Sequence, residues 1–274
     1  MGVPYAEVIG DPIKHSKSPI IHNFWLNALG IPGEYRAARV TAEELPAYLD
    51  ARRVDPDWRG CNVTMPLKTA IIPLLDHVAD GRSINCVTPK SSRLLGWNTD
   101  RDGLLEASSA WQLPFFGETI CLVGAGGAAR TAIDTLGDDM WQFDFHVIAR
   151  DPLKAQESLA LEGACRAFPF SDAHTALLDC AAVVNASPLG MLGYPPMPES
   201  VLEGLELLKQ PGYALEMVTA PSETCFLRRS REIGLTVSDG LTMLIGQARR
   251  AFELFFNVRL TTGGDPSLRE LLTS

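Results

Sequence analysis

Thr119-Ile120-Cys121-Leu122-Val123-Gly124-Ala125-Gly126-Gly127-Ala128-Ala129 decides the fold: an apolar run enters a glycine-rich turn, and small residues follow at once. A continuous apolar run bounded by a turn is the pattern of a strand buried on both faces, as in a parallel sheet. Gly124 permits the tight turn, Gly126 lets backbone approach a pyrophosphate, and small Ala129 allows the next helix to pack closely on the strand. That helix offers N–H groups and its positive dipole end to phosphate. Gly124, Ala125, Gly126, Gly127 and Ala128 are therefore candidate cofactor-binding positions. A plain connection is the alternative reading, and the strand before the turn and helix after it favour the nucleotide.

Outward from this turn the strand–helix rhythm continues, with a helix over 126–136, a strand over 143–149, a helix over 152–161 and strands over 182–185 and 215–218. This βαβαβ order around a glycine turn is what a nucleotide-binding half-fold needs. Helical periodicity over 241–256 suggests a return to the N-terminal part of the chain. The second strand ends near Ala149-Arg150-Asp151, where a guanidinium would pair with the extra phosphate of NADP and a carboxylate would take the ribose hydroxyls of NAD. Arg150 facing the ligand, with Lys154 one turn on, means NADP; Asp151 facing it means NAD. Asp151-Pro152 also suits a helix cap followed by Pro at the first helical position, which leaves the choice to Arg150 and favours NADP.

Toward the N-terminus, a strand over 5–9 stops at Gly10-Asp11-Pro12, and a helix over 18–30 has Ser18 as its cap and Pro19 first. A strand over 35–40 meets Thr41-Ala42-Glu43-Glu44, with the cap and acidic first turn of a further helix. Strands follow over 58–63, 84–87 and 94–97, then a helix from Thr99-Asp100 to about residue 110, and Pro114 marks the crossover. The chain reads as α/β: an N-terminal α/β substrate domain with a mainly parallel sheet over 1–103, completed by helices in 241–274, and a Rossmann-type dinucleotide-binding domain over 104–240. Two domains with a cleft between them suit a chain of 274 residues.

A net charge of −9 disfavours a nucleic-acid partner, because phosphate binding needs clustered Lys and Arg. Neither a basic-then-apolar N-terminus nor an apolar run of about 18 residues is present, so the expectation is a cytoplasmic protein with no membrane partner, a monomer or homodimer. The cysteines lie in apolar runs without C-x-x-C or metal-type spacing and read as reduced thiols, with no metal site.

Lys68 closes Asn62-Val63-Thr64-Met65-Pro66-Leu67-Lys68, and a second polar cluster is Asn98-Thr99-Asp100. Hydride addition to a carbonyl builds negative charge on oxygen. A positioned ammonium stabilises that charge and delivers the proton, and a neighbouring carboxylate holds the amine. The bland alternatives are a solvated lysine early in a helix and an aspartate cap. His15 has no partner at ligand spacing and reads as a surface or loop histidine.

Gly10-Asp11-Pro12-Ile13-Lys14-His15-Ser16-Lys17-Ser18-Pro19, Asn62 to Lys68, Gly96-Trp97-Asn98-Thr99-Asp100, the glycine turn, Asn185-Ala186-Ser187-Pro188-Leu189-Gly190 and Asp239-Gly240-Leu241-Thr242-Met243 stand in the order found in shikimate dehydrogenases, and the chain resembles that family along essentially its whole length. The resemblance implies reversible reduction of 3-dehydroshikimate to shikimate with NADPH, in aromatic amino acid biosynthesis on the route to chorismate. By it, Ser16 and Ser18 bind the substrate carboxylate. Asn62, Thr64, Asn85, Asp100 and Gln247 take the ring hydroxyls, and Lys68 and Asp100 are the catalytic pair. Ser187, backbone at Met217 and Gly240, and Met243 belong to the cofactor site; core packing is the other reading of the two methionines.

The chain departs from the family pattern at three places. Thr219 stands where biosynthetic members carry a tyrosine that reaches the substrate, Ala149-Arg150-Asp151 replaces Asn-Arg-Thr, and Ser83-Ile84-Asn85-Cys86 replaces Ala-Val-Asn-Thr. Two alternatives follow: an NAD-dependent quinate/shikimate dehydrogenase or paralogue acting on a related cyclic hydroxy acid, and a catalytically silent nucleotide-sensing protein. The retained Lys68 and Asp100 argue against the latter.

Overall fold

The computed structural model describes residues 2–79, 83–113, 116–137, 142–163, 165–261 and 266–273. Pro114 lies outside them. The chain divides into two compact units, Met1–Gly103 with Ile245–Ser274, and Leu104–Leu244.

In the first unit the elements are β1 (Tyr5–Gly10), α1 (Ser18–Ala28), β2 (Glu34–Arg39), α2 (Leu45–Arg53), β3 (Trp58–Val63), α3 (Leu67–Ala70), β4 (His77–Val78), β5 (Cys86–Lys90), β6 (Arg93–Trp97) and the start of α4 (Asp100–Ala107). The sheet order is β2-β1-β3-β5-β6-β4. Every strand runs the same way except β5, which is antiparallel to both β3 and β6. β1 is buried throughout because it is covered on both faces. Tyr5 and Ile9 join Cys61, Val63 and the α2 residues Leu45 and Leu49 on one face, while Ala6 and Val8 join Tyr35, Cys86, Ala251 and Phe255 on the other. This is the two-residue alternation of a strand read from both sides. Gly60 is required where the C-terminal stretch packs: its φ is +138°, and a Cβ there would stand 2.3 Å from the Val87 carbonyl and 2.7 Å from the Phe255 ring.

The second unit continues with β7 (Phe116–Val123), α5 (Gly127–Leu136), β8 (Gln142–Ile148), α6 (Pro152–Ser158), β9 (Arg166–Phe168), α7 (Ala173–Leu177), β10 (Ala182–Asn185), α8 (Glu199–Gly204), β11 (Tyr213–Glu216), α9 (Cys225–Glu232), β12 (Thr236–Ser238) and the start of α10 (Gly240–Phe256). Its sheet, β12-β11-β10-β7-β8-β9, is parallel throughout. Strand order reverses between β7 and β10, the switch point at which ligands of open α/β sheets bind. Ile120 and Leu122 face Ala129, Ala132 and Leu136 of α5, whereas Cys121 and Val123 face Ala173, Ala176, Val201 and Phe226. The α/β class with a Rossmann-type sheet is thus as the sequence led us to expect. α11 (Pro266–Thr273) belongs to the first unit, where Lys17 donates to the Leu272 carbonyl at 2.6 Å.

Several local expectations need correction. Ser18 is not the cap of α1: the first helical bond, from Ile21 N–H, goes to the Lys17 carbonyl, so Lys17 is the cap and Ser18 already lies in the helix. The Ser16 hydroxyl instead accepts the Ser18 N–H at 3.3 Å. Thr41 and Glu44 bond each other reciprocally, as in a capping box, yet they close a turn of their own and α2 starts only at Leu45. The helix after Thr99 stops at Ala107 and the helix after Asp151 at Ser158, and the strand expected over 215–218 is β11, Tyr213–Glu216. The strands expected over 84–87 and 94–97 are β5 and β6, and in a mainly parallel sheet they pair as an antiparallel hairpin, because too few residues separate them for a crossover helix. Short β4, β9 and β12, and helices α7 to α9, carry too little periodicity to have been read. All six cysteines are free thiols.

Candidate active site

In the first unit, strand direction collects the polar residues. β3 is antiparallel to β5, and β5 to β6, with Asn62 opposite Cys86 and Cys86 opposite Trp97. The C-terminal end of β3, the N-terminal end of β5 and the C-terminal end of β6 therefore lie side by side, and each carries an asparagine or its neighbour: Asn62 and Thr64, Asn85, and Asn98-Thr99-Asp100. The Lys68 carbonyl accepts the Ile84 N–H at 3.0 Å, which ties α3 to the same edge.

Lys68 Nζ donates to Asp100 Oδ2 at 2.5 Å, with the two side chains 29% and 17% exposed. Asp100 is also the first residue of α4, where the helix dipole favours a carboxylate. Its other oxygen accepts from Asn85 Nδ2 at 2.8 Å, and the second Asn85 amide hydrogen goes to Thr99 Oγ1 at 3.0 Å. Thr99 N–H returns to Asn85 Oδ1 at 2.7 Å. Asn85 is thus committed to holding Asp100. Asn62 Nδ2 donates to the Asn85 carbonyl at 3.1 Å, and Asn62 Oδ1 accepts the Tyr35 hydroxyl at 2.6 Å. Gln247 Oε1 lies 3.5 Å from Thr99 Oγ1 at the edge of this network. Ser16 and Thr64 are half-buried, Ser18 is buried, and His15 is exposed.

In the second unit the turn after β7 fits a dinucleotide pyrophosphate. Gly124 has φ +110°, and a Cβ there would stand 2.9 Å from the Ala186 carbonyl and from Ser187 Cβ. Among the described residues, nothing lies within 4 Å of where a Cβ would stand on Gly126 or Gly127, and no side chain caps α5 at Gly126. Exposed backbone and uncapped helix N–H groups are the donors an anion requires. At the end of β8, Asp151 caps α6, accepting the Lys154 N–H at 3.1 Å, while Arg150 and Lys154 are exposed and Ala149 is buried. One Asp151 carboxylate oxygen is therefore engaged by the end of the helix.

Ser187 Oγ donates to Asn185 Oδ1 at 2.7 Å and accepts the Leu189 N–H at 3.2 Å. Gly240 packs on Val218, where a Cβ would be 2.2 Å from the carbonyl oxygen. Met217 and Met243 are half-buried against the α5-side core, and Thr219 is half-buried beyond them.

Sequence reasoning missed three residues. Tyr35 is buried in β2 and bonds Asn62; alternation marked its face but not its reach. His22 is fully buried, stacks on Tyr35 at 4.0 Å with the rings 6° apart, and has no hydrogen-bond partner on either ring nitrogen among the described residues. Burial pulls its pKa down to about 3. Glu216 is buried at the end of β11, and burial pushes its carboxyl up to about 7 against the donors around it. A lone acid in Ala214-Leu215-Glu216-Met217-Val218 was the available signal.

A parallel sheet with a phosphate-binding turn at its switch point, joined in one chain to an α/β unit that carries a lysine–carboxylate pair, is the build of a two-domain nicotinamide-dependent dehydrogenase. The family model for the shikimate dehydrogenase substrate-binding domain matches residues 8–87. The shikimate dehydrogenase (NADP(+)) of Sphingopyxis alaskensis is 44% identical to this chain over 99% of it and 97% of the relative. Among solved structures, the Thermus thermophilus shikimate 5-dehydrogenase in complex with NADP(H) and shikimate superposes with a TM-score of 0.78 at 34% identity, covering 98% of each chain. The Listeria monocytogenes enzyme in complex with shikimate and NAD does so with a TM-score of 0.82 at 26% identity, covering 98% of this chain and 96% of that one. The chain belongs to the shikimate dehydrogenase family. No helix among the described residues is long and apolar enough to cross a membrane.

Proposed function

We propose that this protein catalyses the reversible NADP-dependent interconversion of 3-dehydroshikimate and shikimate. The observation that carries the reading is the Lys68–Asp100 pair at 2.5 Å, held by Asn85 in a network that reaches Asn62 and Tyr35. The nicotinamide, when bound, supplies the hydride. Lys68 delivers its proton to the carbonyl oxygen as negative charge develops there, a role worth about 10²–10⁴-fold in rate. Asp100 holds the amine aimed and accepts from a ring hydroxyl. Ser16 and Ser18 take the substrate carboxylate; because Ser18 does not cap α1, its hydroxyl is not spent on a helix end. Asn62, Thr64 and Gln247 take the remaining hydroxyls, with Asn85 acting through Asp100.

On the cofactor side, Gly124 to Ala128 take the pyrophosphate. Arg150 and Lys154 take the 2′-phosphate, and the cap formed by Asp151 supports NADP over NAD. The backbone at Met217 and Gly240, with Met243, flanks the nicotinamide, and Ser187 belongs to the same cofactor site. Thr219 is shorter than the tyrosine of biosynthetic relatives, which makes quinate the competing substrate to include. Purified protein given shikimate or quinate with NADP⁺ or NAD⁺, followed at the nicotinamide absorbance, tests the reading. The fastest turnover is expected for shikimate with NADP⁺. Equal or better rates with NAD⁺ overturn the cofactor, better rates with quinate overturn the substrate, and no turnover in any combination overturns the function.

A further inference from the structure

Glu216 is 0% exposed, and no cation pairs with it among the described residues; all its partners are neutral donors. Its Oε1 accepts from Asn185 Nδ2 at 2.8 Å and from Val218 N–H at 2.9 Å, and its Oε2 accepts from Thr224 Oγ1 at 2.8 Å. A buried carboxyl without a countercharge is a poor way to stabilise a sheet, since an apolar side chain of the same volume does better. What this one does is join three chain segments at the C-terminal ends of β10 and β11, the edge where the glycine turn lies.

Two of its three arms end on a wall of the candidate cofactor site. Through Asn185, Glu216 fixes the following loop: Asn185 Nδ2 also donates to the Leu189 carbonyl at 3.0 Å, and Asn185 Oδ1 accepts Ser187 N–H at 3.2 Å and Ser187 Oγ at 2.7 Å. Ala186 and Ser187 are the residues on which Gly124 rests, with no room for a methyl group between them. Through Val218 N–H, Glu216 fixes the segment on which Gly240 rests just as closely. Through Thr224, which caps α9 by accepting the Leu227 N–H at 3.2 Å, it anchors the helix that follows.

We propose that Glu216 is a positioning residue for the dinucleotide: it holds the Ala186–Ser187 wall against the phosphate-binding turn and the Met217–Val218 wall against Gly240, so that both ends of the cofactor site are set by one buried side chain. This rests on the reading of the second unit as the NADP site. It adds a residue that touches no ligand and works through Asn185 and the Val218 amide.

The test is direct binding of NADP⁺ to the full-length protein by titration calorimetry, with shikimate binding measured alongside. Wild type must bind NADP⁺ first; if it does not, the NADP reading fails and not this one. Glu216→Gln keeps an acceptor for Asn185 and Val218 and should bind NADP⁺ within about threefold of wild type. Glu216→Met keeps volume and apolar packing but removes the acceptors, and should bind NADP⁺ about tenfold more weakly, the loss of one to two hydrogen bonds' worth of order, with shikimate affinity unchanged. A role in packing alone predicts the reverse ranking. Should Glu216→Met not fold, Asn185→Ala cuts the same link from the other side and carries the same tenfold expectation. Wild-type NADP⁺ affinity in the folded Met or Ala variant, or a tenfold loss in Glu216→Gln, overturns the proposal.

Discussion

Replacing His22 with phenylalanine should make the protein markedly more resistant to acid. His22 is completely buried, stacks on Tyr35 and lies within 5.8 Å of the Trp25 and Phe252 rings; among the described residues no hydrogen bond to its ring is present to lose. Burial lowers its pKa from 6.5 to about 3. A histidine depressed in the folded state is neutral there and protonates first in the unfolded chain. Its contribution is therefore intact above pH 6.5 and is lost as pH falls toward 3. At pH 4 the separation from the unfolded value is 6.5 − 4 = 2.5 units. At about 1.4 kcal/mol per unit, wild type should lose roughly 3 kcal/mol between pH 7 and pH 4 that a phenylalanine variant keeps. The larger ring adds an overpacking cost of about 1–3 kcal/mol, but that cost does not depend on pH. Urea unfolding followed by tryptophan fluorescence at pH 7, 6, 5 and 4 gives the comparison. A stability difference between His22→Phe and wild type that stays constant across this range would refute the reasoning, since it would mean that His22 takes up a proton in the folded state as readily as in the unfolded one.

Three further outcomes are expected. Lys68→Ala should lower turnover about 10²–10⁴-fold while NADP⁺ affinity by calorimetry stays within about twofold of wild type, because the amine serves proton delivery and not cofactor binding. Tyr35→Phe leaves the Asn62 oxygen without its 2.6 Å donor, so it should cost about 1–3 kcal/mol in urea unfolding and raise the KM for shikimate, with the KM for NADP⁺ unmoved. Glu216 acts on stability in the opposite sense to His22. Its carboxyl is raised from 4.5 to about 7 mainly by burial, so the folded state holds the proton longer, and stability present below pH 4.5 is lost as pH rises through 7. Glu216→Gln should remove that slope, about 3 kcal/mol between pH 5 and pH 8, as read by urea unfolding at the two values.

What the sequence determined by itself is whatever rests on neighbours along the chain. The run from Thr119 to Ala129 dictated strand, turn and helix because apolar periodicity and glycine spacing are local properties, and Asp151-Pro152 announced the α6 cap for the same reason. Six motifs in family order located the chemistry-bearing residues, yet each motif says only which side chains occur, not which of them bond. Tertiary structure decided that the segment after β3 folds back as an antiparallel hairpin, so that Asn85 meets Asp100 across 15 positions of sequence, and that β2 and β3 flank β1, so that Tyr35 meets Asn62 across 27. It also decided that Lys17 rather than Ser18 caps the start of α1, a matter of which carbonyl the first turn reaches. His22 and Glu216 illustrate the division most plainly. A histidine in an amphipathic helix and an acid at the end of a strand look ordinary in sequence, and only packing from distant segments removes the water that would have kept their titration ordinary.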